Sequence, residues 1–193
     1  MRAMHEKLYF LYKFMRSPKQ IGSVTPSSVF LARKMLEPLK GSQVASVAEL
    51  GAGTGAITRH IATVLQRPTK VLLFEKDPYL RSRLKDEFPN YSCQEDACNL
   101  QEALKEVDID SLDCILSGLP FFNFPSELRE QLMREITAAL KPGGLFIAFQ
   151  YSQQMRKRIS QDFEIECVHF VPLNFPPAFV YVCRKRGSSL HEL

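Results

Sequence analysis

The chain contains 193 residues, of which 45% are hydrophobic and 24% are charged, and it carries a formal net charge of +4. This composition excludes a disordered chain, and the length predicts one domain with a core of its own. The sequence has no apolar run of about eighteen residues and no secretory signal pattern, so we expect neither a membrane-spanning helix nor a leader. The mild positive charge favours an anionic partner without separating a membrane surface from a nucleic acid.

The cysteines are scattered and include no C-x-x-C pair. They are Cys93, Cys98, Cys114, Cys167 and Cys183. An odd, dispersed set predicts neither a disulfide framework nor a zinc site. We therefore expect a protein of the reducing cytosol that holds no metal.

Residues 1–20 predict a basic amphipathic helix, because large apolar side chains recur there at helical spacing. The apolar positions are Met4, Leu8, Leu11, Tyr12 and Met15, and the positive ones are Arg2, Lys7, Lys13, Arg16 and Lys19. Such a helix can lie in a bilayer interface with its cations on anionic headgroups. It can also pack on the protein's own core or act as a lid over a cofactor, and the sequence leaves these alternatives open.

From residue 44 onward, short apolar runs alternate with amphipathic segments, which is typical of βα units and a parallel sheet. The predicted strands are residues 44–50, 70–77, 91–97, 112–117 and 145–152. Two further strands, 164–171 and 178–185, are joined by a linker too short for a crossover helix and must pair antiparallel. We predict an α/β fold with a doubly wound, seven-stranded sheet that is mostly parallel and ends in an antiparallel hairpin. Residues 187–193 are predicted to be a tail.

A glycine-rich loop, "ELGAGTGAIT", follows the first predicted strand and opens a helix. Gly51, Gly53 and Gly55 allow a tight turn and a close approach of backbone to a ligand. Their spacing is G-x-G-x-G, which differs from the G-x-G-x-x-G of dinucleotide-binding folds. Glu49 precedes them, and a carboxylate there suits a ligand that carries positive charge rather than a pyrophosphate.

Two more acidic residues end the next two predicted strands. Glu75 ends the second, in "FEKD" with Lys76 beside it, and a carboxylate there can accept both hydroxyls of a ribose. Asp96 ends the third, in "EDA" with Ala97, where a side chain can reach an adenine edge. Because ligands of doubly wound sheets bind at the carboxyl ends of the strands, these residues predict one site.

The motifs "VAELGAGTG", "FEKD" and "EDA", with a proline-aromatic loop after the fourth strand, resemble class I S-adenosylmethionine-dependent methyltransferases. The resemblance covers roughly residues 44–185 and implies a Rossmann-like domain, placed here at 21–186, that binds S-adenosylmethionine and releases S-adenosylhomocysteine. It implies that Gly51, Gly53 and Gly55 line the methionine moiety and that Glu75 holds the ribose. The other cofactor residues it implies are Glu49, Lys76, Asp96, Ala97 and Ser117.

The loop "SGLPFFNFP", at residues 117–125, resembles more closely the bacterial phospholipid N-methyltransferases, as do "IGSVTPSSVFLARKM" and "PLNFPPAFVYVCRK". This resemblance implies an acceptor amine on phosphatidylethanolamine or its methylated derivatives. It also implies an anionic membrane surface as partner and a peripheral location on its cytoplasmic face. The acceptor-side residues it suggests are Tyr12, Ser117, Leu119, Pro120 and Phe121, with Phe121, Phe122 and Phe124 as an apolar rim against lipid. We expect a monomer.

A more distant resemblance joins the same loop to the ribosomal RNA adenine dimethylases, which carry a polar residue, then proline or leucine, proline and an aromatic. Here the aligned residues are Gly118, Leu119, Pro120 and Phe121, so the polar acceptor is missing at the first position. An RNA adenine methyltransferase, with nucleic acid as partner, therefore stays an alternative, as does a methyltransferase of another small amine.

The sequence does not single out a general base or a phosphate-binding cation. Tyr12, Tyr151 and His169 carry groups that can accept a proton, and His169, in an alternating strand, is expected to be structural. The cations available to a lipid phosphate are Lys19, Arg156, Lys157 and Arg158. An aromatic face on Phe121 or Tyr12 would tolerate a quaternary ammonium product.

Overall fold

A computed structural model describes residues 27–65 and 68–187, in which seven strands alternate with six α-helices. The strands are β1 (Ser46–Leu50), β2 (Lys70–Phe74), β3 (Ser92–Gln94), β4 (Leu112–Ser117), β5 (Leu140–Gln150), β6 (Phe163–Val171) and β7 (Ala178–Lys185). The helices are α1 (Val29–Leu36), α2 (Thr58–Val64), α3 (Pro78–Glu87), α4 (Leu100–Glu106), α5 (Ser126–Ala139) and α6 (Arg156–Asp162). Single 3-10 turns lie at Glu37–Leu39, Ala97–Asn99 and Phe121–Asn123.

All seven strands form one sheet in the order β3-β2-β1-β4-β5-β7-β6. The first five are parallel, and β7 runs antiparallel between β5 and β6. The predicted fold class is therefore confirmed, including the antiparallel hairpin at the end of the chain. The chain reverses direction across the sheet between β1 and β4, which creates a crevice at the carboxyl ends of these two strands.

Both faces of the sheet are covered, which explains why the central strands are apolar along their whole length. Alternate residues of β2 enter opposite layers: Leu72 and Phe74 join the core under α4, α5 and α6, while Leu73 joins the core under α1, α2 and α3. The two cores carry most of the buried apolar area and hold the strand ends in fixed positions.

Local sequence signals explain where two of the helices begin. Asp77 caps α3 by accepting hydrogen bonds from the N–H groups of Tyr79 and Leu80, and Pro78 occupies the first helical position. Ser28 caps α1 by accepting from the Leu31 N–H. Helix α1 was not among the predicted elements, although a serine followed by apolar residues at helical spacing is a usable signal.

The element bounds differ from the predicted ones mainly at the sheet edge and at β5. Strand β3 is only three residues long, whereas the sequence pattern predicted seven. Strand β5 begins at Leu140 instead of 145, with a break in its register against β4 between Leu112 and Cys114. The break accommodates the glycine pair at 143–144, because Gly143 has a positive φ of 75°.

The predicted helix at residues 1–20, with Tyr12 and Lys19, lies outside the described residues. The predicted tail beyond residue 187 does so as well. Within residues 27–65 and 68–187, no helix is long and apolar enough to cross a bilayer.

Candidate active site

The ends of β1 and β4 bring the glycine loop (residues 51–57) against the loop that follows β4. Leu50 lies opposite Ser117 in the sheet, and the Gly118 N–H donates to the Leu50 carbonyl at 2.9 Å. We call residues 117–124 the acceptor loop. The crevice between the two loops is the place where the sequence predicts cofactor and acceptor to meet.

The backbone of the glycine loop requires glycine at Gly51 and Gly53, whose φ angles are +76° and +57°. A Cβ on Gly51 would lie 2.9 Å from Cδ2 of Leu119, so this glycine lets the acceptor loop pack closely. At Gly53 an added Cβ would meet nothing within 4 Å, so space is open above that residue. The Gly51 and Ala52 N–H groups both donate to the Phe74 carbonyl, which fixes the loop to β2.

The carboxyl group of Glu49 is buried beneath this loop and is 1% exposed. Thr58, the first residue of α2, donates its hydroxyl to Glu49 Oε2 at 2.7 Å. Burial raises the pKa of Glu49 to about 8, the Thr58 hydrogen bond opposes the rise, and the charge of Glu75 adds to it. Sequence reasoning missed Thr58, which lies nine residues from its partner and carries no motif of its own.

Glu75 holds the glycine loop to the end of β2 from a buried position. Its Oε2 accepts from the Gly53 N–H at 2.7 Å and its Oε1 from the Asp77 N–H at 2.8 Å. Burial raises the pKa of Glu75, and the N–H groups of Asp77 and Gly53 oppose this rise. Each carboxylate oxygen has a second lone pair, so the group can still accept from a ligand.

Lys76 and Asp96 form an ion pair across the ends of β2 and β3, with Nζ 2.9 Å from Oδ2. Asp96 also caps the turn at Ala97 by accepting from the Cys98 N–H. Burial favours the neutral acid, but the Cys98 N–H and the Lys76 ammonium outweigh it and lower the pKa of Asp96. The structure thus brings together Lys76, Asp96 and the buried Ala97, and their contact with a cofactor stays a prediction.

The acceptor loop is held by hydrogen bonds within the loop and from β5. Ser117 is fully buried, and its Oγ accepts from the Leu119 N–H at 3.2 Å. The Leu119 carbonyl accepts from Gln150 Nε2 at 2.8 Å. Sequence reasoning missed Gln150, because it lies 31 residues from the loop and ends a strand without any motif.

The interpretation of three phenylalanines as an apolar rim is wrong for Phe121 and Phe124. Phe121 is fully buried and Phe124 is 5% exposed, whereas Phe122 is 49% exposed. The Phe121 ring packs edge-on against Phe124 and Phe146 beneath the sheet end, with ring centroids 6.2 Å apart in both pairs. In this conformation Phe121 therefore contacts neither an acceptor nor a lipid, because the turn at 121–123 directs it into the core.

The remaining acid–base and phosphate candidates have different surroundings. Arg158 is engaged by Glu130 and Asp162 and is thereby drawn into the protein's own ion pairs. Arg156 and Lys157 are exposed. The Tyr151 ring packs on Phe149 at 5.7 Å, and His169 Nε2 lies 3.1 Å from Cys167 Sγ on β6. Among the described residues, no cluster of His, Cys, Asp or Glu could hold a metal ion.

Large apolar side chains are exposed at the same end of the sheet. Strand β6 runs in the direction of β5, so the turn after β6 lies at the carboxyl edge. There Asn174 accepts from the Ser28 N–H at 2.9 Å and donates to the Pro176 carbonyl at 2.7 Å, which joins this turn to the start of α1. Around this turn and the start of α1, the large apolar side chains exposed by more than half are Phe30, Phe170, Leu173 and Phe175, and we call them the apolar edge.

Comparisons with known proteins agree with this geometry. A family described as "Methyltransferase domain" matches residues 47–144. The chain is 33% identical over 186 residues to the ornithine lipid N-methyltransferase of Singulisphaera acidiphila, an alignment that covers 94% of this chain and 97% of that protein. The chain belongs to the S-adenosylmethionine-dependent methyltransferase family.

This methyltransferase also resembles proteins of other specificities. It is 31% identical over 123 residues to the ribosomal RNA small subunit methyltransferase A of Maridesulfovibrio salexigens, which spans 64% of this chain and 44% of that protein. The crystal structure of the N-methyltransferase NodS from Bradyrhizobium japonicum, in complex with S-adenosyl-L-homocysteine, covers 93% of this chain and 98% of its own, with a TM-score of 0.65. At 12% identity that likeness bears on the fold alone.

The cofactor of the methyltransferase is S-adenosylmethionine. The described residues fit this molecule, since open space lies above Gly53 and two acidic groups, Glu49 and Glu75, lie directly below and beside the loop. A bound cation would favour the ionised form of both carboxyl groups, which suits the ammonium and sulfonium charges of the cofactor.

Proposed function

We propose that the protein is an N-methyltransferase that methylates the amine of a membrane lipid headgroup, phosphatidylethanolamine or its methylated derivatives. The observation that carries the proposal is the 33% identity, over almost the whole chain, to a protein named ornithine lipid N-methyltransferase. An ornithine headgroup and an ethanolamine headgroup both present an amine, so the two lipids share the chemistry that the site would recognise. The proposed location is peripheral, on the cytoplasmic face of the membrane.

The residues proposed to hold the cofactor are those that surround the glycine loop. They are Glu49, Gly51, Gly53, Gly55, Glu75, Lys76, Asp96, Ala97 and Ser117. When bound, S-adenosylmethionine supplies an electrophilic methyl group, and each transfer to an amine replaces one N–H by N–CH₃ with release of a proton. The acidic groups attract the cationic cofactor, and the packing of Leu119 on Gly51 sets the distance between the two loops.

The apolar edge supports a lipid substrate rather than a soluble amine. Its four side chains are between 53% and 73% exposed and lie at the carboxyl edge of the sheet, where the crevice opens. Burial of such groups in a bilayer is favourable by about 25 cal/mol for each Å² removed from water. Clustered exposure of this kind is a common mark of membrane or protein contact, whereas single exposed apolar residues are ordinary.

An RNA adenine methyltransferase is the second candidate, and the relative from Maridesulfovibrio salexigens favours it. The chain spans less than half of that relative. Gly118 also stands where adenine enzymes of the resembled group carry a polar side chain, which favours the lipid reading.

Incubating the pure protein with methyl-labelled cofactor separates these functions. Three acceptors are compared: vesicles of phosphatidylethanolamine with phosphatidylglycerol, vesicles of ornithine lipid with phosphatidylglycerol, and ribosomal RNA. We expect label in phosphatidylethanolamine, and none in vesicles of phosphatidylcholine and phosphatidylglycerol, which offer no free amine. Label in the ornithine lipid but not in phosphatidylethanolamine would overturn the proposed headgroup, and label in the RNA alone would overturn the lipid function as a whole.

A further inference from the structure

The side chain of Gln150 connects the end of β5 to the acceptor loop and is only 5% exposed. Its Nε2 donates to the Leu119 carbonyl at 2.8 Å and to the Phe149 carbonyl at 2.7 Å. Carbonyl oxygens only accept, so the amide nitrogen must face them and the two ends of the amide cannot be exchanged. The orientation of Oε1 is therefore determined by the fold.

The Leu119 carbonyl has no capacity left for a substrate. Besides Gln150 Nε2, it accepts from the Phe121 N–H at 2.9 Å. A carbonyl oxygen carries two lone pairs, and both are occupied here. An acceptor amine that enters the crevice must therefore place its N–H groups on another oxygen.

Gln150 Oε1 has hydrogen-bonding capacity to spare. Within residues 27–65 and 68–187, no donor reaches this oxygen. In the same ranges, the Tyr181 hydroxyl alone is a buried side-chain polar atom without a partner, so Oε1 is not sealed in the core. Gln150 Oε1 can therefore still accept a hydrogen bond from a bound molecule.

We propose that Gln150 Oε1 accepts a hydrogen bond from an N–H of the acceptor amine and thereby orients the nitrogen lone pair. The inference rests on the proposed amine-bearing lipid and names the residue that recognises the amine. A neutral amide suits this task because the reactive amine must itself be neutral. A carboxylate in the same place would stabilise the unreactive ammonium form instead.

If Gln150 binds the amine, its contribution depends on the number of N–H groups that the amine carries, whereas a purely structural role would not. A primary amine has two N–H groups, its monomethyl product has one, and the neutral dimethyl product has none. Gln150 Oε1 can therefore contribute to the first two methyl transfers and contributes nothing to a third. The hydrogen bond from Gln150 Nε2 to the Leu119 carbonyl is different, because it holds the acceptor loop in the same way during all three transfers.

The test compares Gln150→Leu with wild type on phosphatidylethanolamine and its N-monomethyl and N,N-dimethyl forms, or on the matching ornithine lipids. Loss of the loop contact lowers kcat/KM for every lipid. We expect a further fall of about tenfold or more for the primary amine relative to the dimethyl amine, since one hydrogen bond is lost. The control is Gln153→Leu, three residues along and exposed, with the cofactor Kd and the Tm measured for each variant.

A second measurement applies if wild type leaves the dimethyl lipid unmethylated. The dimethyl lipid then serves as a competitive inhibitor of the primary amine. We expect its inhibition constant to worsen about tenfold less in Gln150→Leu than kcat/KM for the primary amine falls, because the tertiary amine offers no N–H to Gln150 Oε1.

Equal losses on all lipids, or an inhibition constant of the dimethyl lipid that worsens as much as kcat/KM of the primary amine falls, would overturn the role of Gln150 while leaving the lipid function intact. Wild-type protein that methylates none of these lipids would overturn the proposed substrate and this inference together.

Discussion

Two carboxyl groups, those of Glu49 and Glu75, lie at the glycine loop with almost no exposure to water. Each is held by hydrogen bonds from the protein, through Thr58 for Glu49 and through backbone N–H groups for Glu75. Burying a carboxylate costs free energy unless a cation or donors compensate, and here the compensation is partial because burial raises both pKa values. These residues are therefore poised to interact favourably with a cationic ligand.

Replacing Glu75 by alanine is expected to weaken cofactor binding by at least tenfold, about 1.4 kcal/mol. The variant loses a ligand acceptor and also the contact with the Gly53 N–H that shapes the loop. Calorimetric titration with S-adenosylhomocysteine measures the change. Glu95→Ala is the matched control, because its side chain is 64% exposed and contacts Arg81 at the surface. An unchanged Kd for Glu75→Ala would reject the ribose role of this carboxylate.

Glu49 is expected to make the unliganded protein less stable as the pH rises. Its pKa is raised from 4.5 to about 8 in the folded protein, so its contribution to stability is present below pH 4.5 and is lost as the pH approaches 8. Between pH 6 and 8 the free energy of unfolding should fall by about 2 kcal/mol relative to Glu49→Gln, which keeps the Thr58 contact without titrating. Urea unfolding of both proteins at several pH values measures this, and parallel pH curves would contradict it.

At the scale of elements, the acceptor loop combines a buried half and an exposed half within a single turn. Phe121 and Phe124 enter the core while Phe122 faces outward. The turn at Phe121–Asn123 produces this division, since it rotates successive side chains to different sides. The loop that carries the predicted acceptor residues is thus anchored from below, which favours a rigid acceptor site.

Phe121→Ala is expected to destabilise the protein by about 3 to 5 kcal/mol, because it removes a fully buried ring. The neighbouring Phe122→Ala should change the free energy of unfolding by less than about 0.5 kcal/mol, since that ring is half exposed. Chemical denaturation of the pair measures both values. Equal effects of the two substitutions would mean that the loop does not adopt the turn described here.

For the whole molecule, the membrane proposal involves two separate features. One is the apolar edge at the carboxyl end of the sheet, and the other is the amphipathic helix that the sequence predicts for residues 1–20. Ser28, near the start of the described residues, donates its N–H to Asn174 beside the apolar edge. In the membrane proposal, the cations of the predicted helix and the apolar groups of the apolar edge face the same bilayer.

Deleting residues 1–19 is expected to abolish sedimentation with phosphatidylglycerol-containing vesicles, because about 1 kcal/mol for each basic residue is lost. The truncated chain should still fold, as circular dichroism and cofactor binding can verify. In the full chain, Leu173→Asp should weaken sedimentation as well, whereas Ala62→Asp, exposed on α2, should not. Truncated protein that sediments as well as the full chain would disprove the anchor role of residues 1–19.

Local sequence patterns were enough to predict the fold class and six of the seven strand positions to within a few residues, and they indicate the end of the sheet where we expect the site. These are consequences of local patterns: apolar runs, glycine spacing and the position of acids directly after strands. Where the pattern was weakest, as in the three-residue edge strand β3, the predicted length was wrong.

The contacts of the individual side chains at the candidate site became known only from the folded chain. Phe121 is a core residue, Lys76 is paired with Asp96, and Gln150 holds the acceptor loop. The contact of Ser28 with Asn174 joins residues 146 positions apart. Such contacts depend on how strands are ordered in the sheet, and the order places β7 between β5 and β6. The periodicity of apolar residues indicates which side chains are buried. It does not indicate which distant residue each side chain contacts, because that contact depends on the packing of the whole chain.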